Sequence, residues 1–226
     1  MKISVVIPVY NEEKTIGILL KKVLSVDLEK EVIIVDDAST DSTRQILKSI
    51  NEPNVRVIIK EKNEGKGAAL QEGFKHVSGD IVIIQDADLE YNPDDYNKLI
   101  EPIINNDADV VFGSRFLGYP RKVLLFWHTV ANKMLTLISN MVNNINLTDM
   151  ETCYKVFRSN IIKELKFSSK RFGFEPEFTA KVAKKGYSIY EVPISYHGRT
   201  YKDGQKITWK DALAALYWII YFRLKD

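Results

Sequence analysis

Short runs of Val and Ile alternate with longer amphipathic stretches through the first half of the chain. Residues 3–7, 32–35, 55–59, 81–84 and 110–112 are short and rich in Val and Ile, the pattern of strands covered on both faces. Between them, 12–24, 41–50, 66–77 and 93–104 repeat their apolar positions at helical spacing. Asn92-Pro93 supplies a cap followed by proline at the first helical position. Alternation of this kind predicts an α/β fold with a mainly parallel central sheet flanked by helices. After Arg115 the texture changes. Residues 121–145 predict one or two helices, 174–185 another closed by Gly186, and a final amphipathic helix starts near Thr208. Residues 189–192 predict a return to the sheet, and without a repeat or low-complexity linker the 226 residues form one domain.

Composition narrows the classes. The chain is 45% hydrophobic and 11% aromatic, enough for a sizeable core. Its 32 basic and 30 acidic residues give a net charge of +2, without the basic excess expected of a nucleic-acid partner. A single Cys153 excludes a disulfide within the chain. The opening MKISVVIPVYNEE turns polar by Asn11, too soon for a secretory leader. The longest apolar run, 212–222, falls well short of the roughly 20 residues of a membrane span. The expectation is a cytoplasmic protein, peripheral at most on a membrane.

Ligands of open parallel sheets gather beyond the carboxyl ends of the strands, and the polar clusters fall there. PVYNEE follows the first apolar run, DDAS the second and QDADLE the fourth. Three carboxylates, Asp86, Asp88 and Glu90, crowd the end of a buried segment, which is costly unless a cation shares the site. Mg2+ or Mn2+ bridging these oxygens to a diphosphate meets that need. A D-x-D triplet alone is more often a solvated turn; its place beside two other acidic strand ends favours the metal. Asp36 and Asp37 are more than a cap for the next helix requires, and a carboxylate there can accept bonds from a base or ribose. NEGKGAAL lacks the Lys-Ser/Thr ending of a nucleotide-triphosphate loop, and Leu70 stands where a dinucleotide fingerprint needs glycine. What remains is a glycine turn that carries Lys66 toward the crevice. Arg115 follows the fifth run, where a guanidinium can grip phosphate. Arg199, Lys202 and Lys206 flank a glycine-bearing loop with the composition of a cationic lid.

SVVIPVYNEE, EVIIVDDASTDST, NEGKGAAL, QDADLEYNP, FGSRF, TDMETCYKVF and EPEFTAKVAKKGYSIYEVPISYHGR together resemble the inverting GT-A glycosyltransferases that include dolichyl- and polyprenyl-phosphate sugar synthases. The resemblance spans about residues 3–206. It implies that Pro8, Tyr10, Glu12 and Asp37 line a nucleotide pocket with Asp36 and Ala87 nearby. It implies that Asp86, Asp88 and Glu90 hold the metal, and that Lys66, Arg115, Arg199 and Lys206 face phosphates. Glu90 departs from the glutamine common at the third metal position. No Arg-Trp pair of the processive polysaccharide synthases occurs.

The implied reaction breaks the bond between an anomeric carbon and a nucleoside diphosphate, so negative charge grows on the leaving group. A cation held by Asp86 and Asp88, with Arg115 beside it, would stabilise that charge. A sugar hydroxyl acceptor would need a base, for which Asp149 and Glu151 are candidates. A polyprenyl phosphate, with a second pKa of about 6, is already largely a dianion and needs none; Lys133, Lys155, Arg115 and Arg199 could offset its charge. The lipid phosphate is the favoured acceptor, a hydroxyl acceptor in polysaccharide or glycolipid synthesis the alternative. A sugar-phosphate nucleotidyltransferase would need a basic glycine-rich first loop, and a non-catalytic nucleotide-sugar sensor would bind without turnover. Membrane contact is expected of 121–145 and of the C-terminal helix, whose Trp209, Tyr217, Trp218 and Tyr221 lie among Lys210, Arg223 and Lys225. GDP-mannose, UDP-glucose and UDP-N-acetylglucosamine all remain open as donors.

Overall fold

The computed structural model describes residues 1–118, 125–171, 173–198 and 209–225. Five of its strands grow from the apolar runs of the sequence: β1 (Ile3–Val9), β2 (Lys30–Asp36), β3 (Val55–Ile59), β4 (Ile81–Ile84) and β5 (Val110–Ser114). Val and Ile dominate them because branched side chains pack well on a pleated surface covered from both sides. β3 is the exception in burial, since it forms one edge of the sheet and none of its residues is fully buried. Two further strands complete the sheet, β6 (Lys155–Arg158) and β7 (Ile189–Pro193).

The order is β3-β2-β1-β4-β6-β5-β7. β6 runs antiparallel to both β4 and β5, and every other pairing is parallel. β6 was not expected from the pattern. It has four residues, begins with a lysine, and lies inside a stretch without an apolar run. Its pairing comes from the gap between β4 and β5, a tertiary cause that no local propensity reveals. Lys155 is fully buried there: its ammonium donates to the Met150 and Thr152 carbonyls and lies 5.0 Å from the Phe112 ring centroid. It is a strut for the turn before β6, not a cation offered to an acceptor phosphate. Burial lowers its pKa.

The helices are α1 (Ile16–Ser25), α2 (Thr43–Lys48), α3 (Lys66–Phe74), α4 (Tyr96–Ile104), α5 (Phe126–Asn143), α6 (Asn160–Glu164), α7 (Phe174–Lys185) and α8 (Trp209–Lys225). Asn92 accepts a bond from the Asp94 amide and opens a 3₁₀ turn at Pro93–Asp95 that leads into α4. α7 stops at Gly186, which takes the left-handed conformation at φ 72°. α5 and α8 pack on one another and leave large apolar side chains outside. Phe126, Trp127, Met134, Leu137 and Met141 are exposed on α5, and Leu213, Tyr217, Ile220 and Leu224 on α8. Among the described residues no helix is long and apolar enough to cross a membrane.

The chain leaves β1 toward β2 and β3, then returns to place β4 on the other side of β1. Loops leaving β1 and β4 therefore diverge, and the crevice between them is where such sheets take ligands.

Candidate active site

Each of the three loops at this crevice contains a residue in the left-handed region: Asn11 after β1, Ala38 after β2 and Leu89 after β4. For alanine and leucine that conformation is unfavourable, and the surrounding bonds hold it. The Asn11 side-chain oxygen accepts from the Thr40 amide at 2.8 Å, and the Asn11 amide donates to Ser39 Oγ at 2.9 Å. The Glu12 amide donates to Thr43 Oγ1 at 2.9 Å. The first two loops are thus laced together below the crevice.

Neighbouring carboxylates on β2 have different fates. Asp36 is fully buried, bonded by Arg44 Nε at 2.9 Å and by the Ser39 amide. It lies beside the cavity lining without belonging to it, next to Asp37, and anchors the β2 loop to α2. Asp37 does line the cavity. Its Oδ1 takes Lys60 Nζ at 2.6 Å and its Oδ2 takes the Gly65 amide at 2.6 Å.

The glycines of NEGKGAAL have a packing reason. A Cβ on Gly67 would lie 2.2 Å from the Ser169 carbonyl oxygen, and one on Gly65, at φ 96°, 2.6 Å from that of Lys170. The start of α3 can therefore press against the segment before α7. That contact presents Lys66 to Asp86 and Glu175, each at 2.9 Å. Burial works against the Lys66 charge, yet the nearby acids, Asp86 foremost, hold its pKa well above the usual value.

A cavity of about 460 Å³ opens over these groups. Pro8, Tyr10, Glu12, Asp37, Lys66, Asp86, Ala87, Asp88, Glu90 and Arg115 all line it, joined by Asn63, Tyr91, Glu151, Cys153, Arg171, Glu175 and Tyr196. Its acids (Glu12, Asp37, Asp86, Asp88, Glu90, Glu151, Glu175) outnumber its bases (Lys66, Arg115, Arg171). Arg199 and Lys206 lie outside the described residues, as does Lys202.

Arg115 is not a surface ion pair. Its Nε and one terminal nitrogen each donate to Asp149 at 2.7 Å, its amide donates to the same carboxylate, and Asp149 is fully buried. Burial opposes the guanidinium charge, but Asp149 with Tyr91 and Tyr196 together outweigh it and raise the pKa well above normal. Asp149 is thereby committed to Arg115 and is not placed as a base. Glu90 Oε2 accepts the Tyr196 hydroxyl at 2.7 Å, and the Glu90 carbonyl accepts the His197 amide.

Asp86, Asp88 and Glu90 all line this cavity, although among the described residues no group of three acids, histidines or cysteines stands ready as an ion site. Asp86 and Asp88 on one turn still present hard oxygen donors in an acid-rich cavity. That fits a divalent ion sharing one or two carboxylates with a phosphate ligand.

Two carboxylate oxygens stand apart. Glu151 Oε1 and Glu175 Oε2 are buried and have no hydrogen-bond partner among the described residues. Burial, then the neighbouring Glu175, pushes the Glu151 carboxyl up to about 7, against the pull of Lys155 and Arg115.

Residues 4–166, well over half of the chain, match the sequence profile described as "Glycosyl transferase family 2". The chain belongs to glycosyl transferase family 2. Among curated relatives, an undecaprenyl-phosphate mannosyltransferase of Micrococcus luteus is 29% identical over 87% of this chain and 84% of its own. A dodecaprenyl-phosphate galacturonate synthase of Rhizobium johnstonii is 27% identical over 100% of this chain and 68% of its own. Among solved structures, a glucosyl-3-phosphoglycerate synthase of Mycobacterium tuberculosis, in complex with Mn2+, UDP and glucosyl-3-phosphoglycerate, aligns with a TM-score of 0.76. At 20% identity over 99% of this chain and 78% of that one, it shares the GT-A fold.

For this glycosyltransferase, several cavity residues had no clear signal in sequence. Glu175 reads as an ordinary acid in the first turn of a helix, and Tyr91 and Tyr196 as packing aromatics. Only topology, which sets α7 and the end of β7 beside the β4 loop, brings them to the cavity.

Proposed function

We propose that this enzyme transfers a hexose from a nucleotide sugar to a polyprenyl phosphate, with inversion and with a divalent metal. The observation that carries the reading is a single cavity at the switch point of the sheet, shared by the β1 and β2 loop ends, the Asp86–Asp88 turn and Arg115. The activities of the two curated relatives, both polyprenyl-phosphate sugar transferases by name, support the acceptor class.

Pro8, Tyr10, Glu12 and Asp37 would line the nucleoside end, and Asp86 and Asp88 would hold Mg2+ or Mn2+. When bound, the ion supplies electrostatic stabilisation of the departing diphosphate. Lys66, which bonds Asp86, would face that charge. Arg115 is held in a fixed orientation by Asp149, so it meets an incoming phosphate without reorganisation. A lipid phosphate is nucleophilic as a dianion, so the step requires no base. The exposed apolar side chains of α5 and α8 suit a membrane surface, where the lipid acceptor resides; the face of the membrane expected is the cytoplasmic one.

The test is incubation with a short polyprenyl phosphate, Mn2+ or Mg2+, and UDP-glucose, UDP-N-acetylglucosamine or GDP-mannose. One donor should label the lipid, and chelation should stop it. Binding of these donors without any transfer would favour a sensor and overturn the reading.

A further inference from the structure

We propose that Glu151 and Glu175 form the hexose-reading end of the cavity, each accepting a hydrogen bond from a hydroxyl of the transferred sugar. This deepens the glycosyltransferase reading and rests on it. Both residues line the cavity, and each keeps a buried carboxylate oxygen with no partner among the described residues. Burying an acceptor without a donor is unfavourable, and in a binding cavity the missing donor is expected from the ligand.

The other Glu175 oxygen is already engaged. Glu175 is only 5% exposed, and its other oxygen takes Lys66 Nζ at 2.9 Å. Glu151 lies two residues from the Arg115–Asp149 pair and two from Cys153, whose amide donates to the Tyr91 hydroxyl at 3.0 Å. Their proximity is felt electrostatically, since Glu175 is the leading charge that raises Glu151.

Chemistry decides which part of the donor belongs here. The diphosphate is negative and would be repelled by two carboxylates, and the nucleoside has its own residues after β1 and β2. The hexose is neutral and carries several neighbouring hydroxyls, each able to donate. Two unpartnered acceptor oxygens in one cavity suit a polyol better than any other piece of a nucleotide sugar. A site built to accept from a hydroxyl also discriminates strongly against a sugar lacking it, so this pair would set donor choice.

Calorimetric titration with UDP-glucose, UDP-N-acetylglucosamine and GDP-mannose, each beside UDP or GDP, tests the assignment in wild type, Glu151→Met, Glu151→Gln and Glu175→Gln. For the sugar nucleotide that wild type accepts, Glu151→Met should raise Kd about tenfold, as expected for the loss of one hydrogen bond to a buried acceptor. Glu151→Gln, which keeps a carbonyl acceptor, should raise it less. The free nucleoside diphosphate should bind each Glu151 variant within about twofold of wild type, consistent with contacts elsewhere. Glu175→Gln also disturbs Lys66, so the Glu151 variants are the deciding ones, with thermal unfolding as the check on folding. Equal losses for nucleotide and nucleotide sugar, or no loss for either, would overturn the proposal. So would a collapse in kcat with donor Kd unchanged, which would make Glu151 a proton acceptor. Wild type binding none of these nucleotides would instead sink the parent reading and this one with it.

Discussion

Carboxylates are used in opposite ways in two parts of one molecule. At the base of the β2 loop, Asp36 and Asp37 are saturated: Arg44, Lys60 and backbone amides of Ser39, Glu64 and Gly65 take up their oxygens. Elsewhere in the cavity lining, Glu151 and Glu175 keep oxygens without protein donors among the described residues. The first group builds the loops that shape the nucleotide end. The second is left for something the protein does not supply. Charge alone does not mark a binding residue; unspent hydrogen-bonding capacity does.

The largest effect that would sharpen this contrast is expected at the β4 turn. Asp88→Ala should lower metal-dependent transfer by at least about a thousandfold, the scale of losing one key electrostatic contact to a developing charge. Fold stability should barely change, and steady-state assay with thermal unfolding separates the two. Unreduced turnover would remove the metal assignment.

A saturated pair should behave in reverse. Asp149→Asn leaves the buried Arg115 charge uncompensated, and breaking such a pair costs about 3–5 kcal/mol. Urea unfolding should show that loss before any assay is run. Gly67→Ala is smaller, about 1–3 kcal/mol, because the new methyl group forces the start of α3 away from Ser169. Lys66 should then lose its register with Asp86 and Glu175, so activity should fall with stability.

The smallest effect lies outside the cavity, at Glu31. Burial opposes its charge, but hydrogen bonds from Ser4, Ser78 and Lys2 more than offset that and lower its pKa to about 2. A carboxylate with a depressed folded pKa stabilises the fold above its unfolded value of about 4.5, and that contribution fades as pH falls toward 2. Glu31→Gln should therefore lower Tm slightly at pH 7, with a cost under about 1 kcal/mol at this partly solvated site. The difference from wild type should vanish near pH 2.

Much of the parallel half was legible in sequence because its signals are local. Runs rich in Val and Ile specify β1, β2, β4 and β5, and the polar residues just past them specify the crevice. The Asn92-Pro93 cap and the Gly186 stop depend on adjacent residues only. The second half was less legible because its features are tertiary. β6 exists through the slot between β4 and β5, and Lys155 is buried through carbonyls that its own turn presents. Asp36 looked like a ligand residue because sequence cannot tell which of two adjacent carboxylates meets an arginine eight positions on. Glu175 was silent because an acid in a first helical turn needs no ligand to explain it.

The most direct test of the account compares polyprenyl phosphate with the matching polyprenol as acceptor, using a labelled nucleotide sugar, Mn2+ and vesicles. Label should enter the lipid only when the phosphate is present, and the product should release hexose under mild acid, as an anomeric glycosyl phosphate does. Equal labelling of the alcohol would contradict a base-free attack by phosphate and return a hydroxyl acceptor to first place.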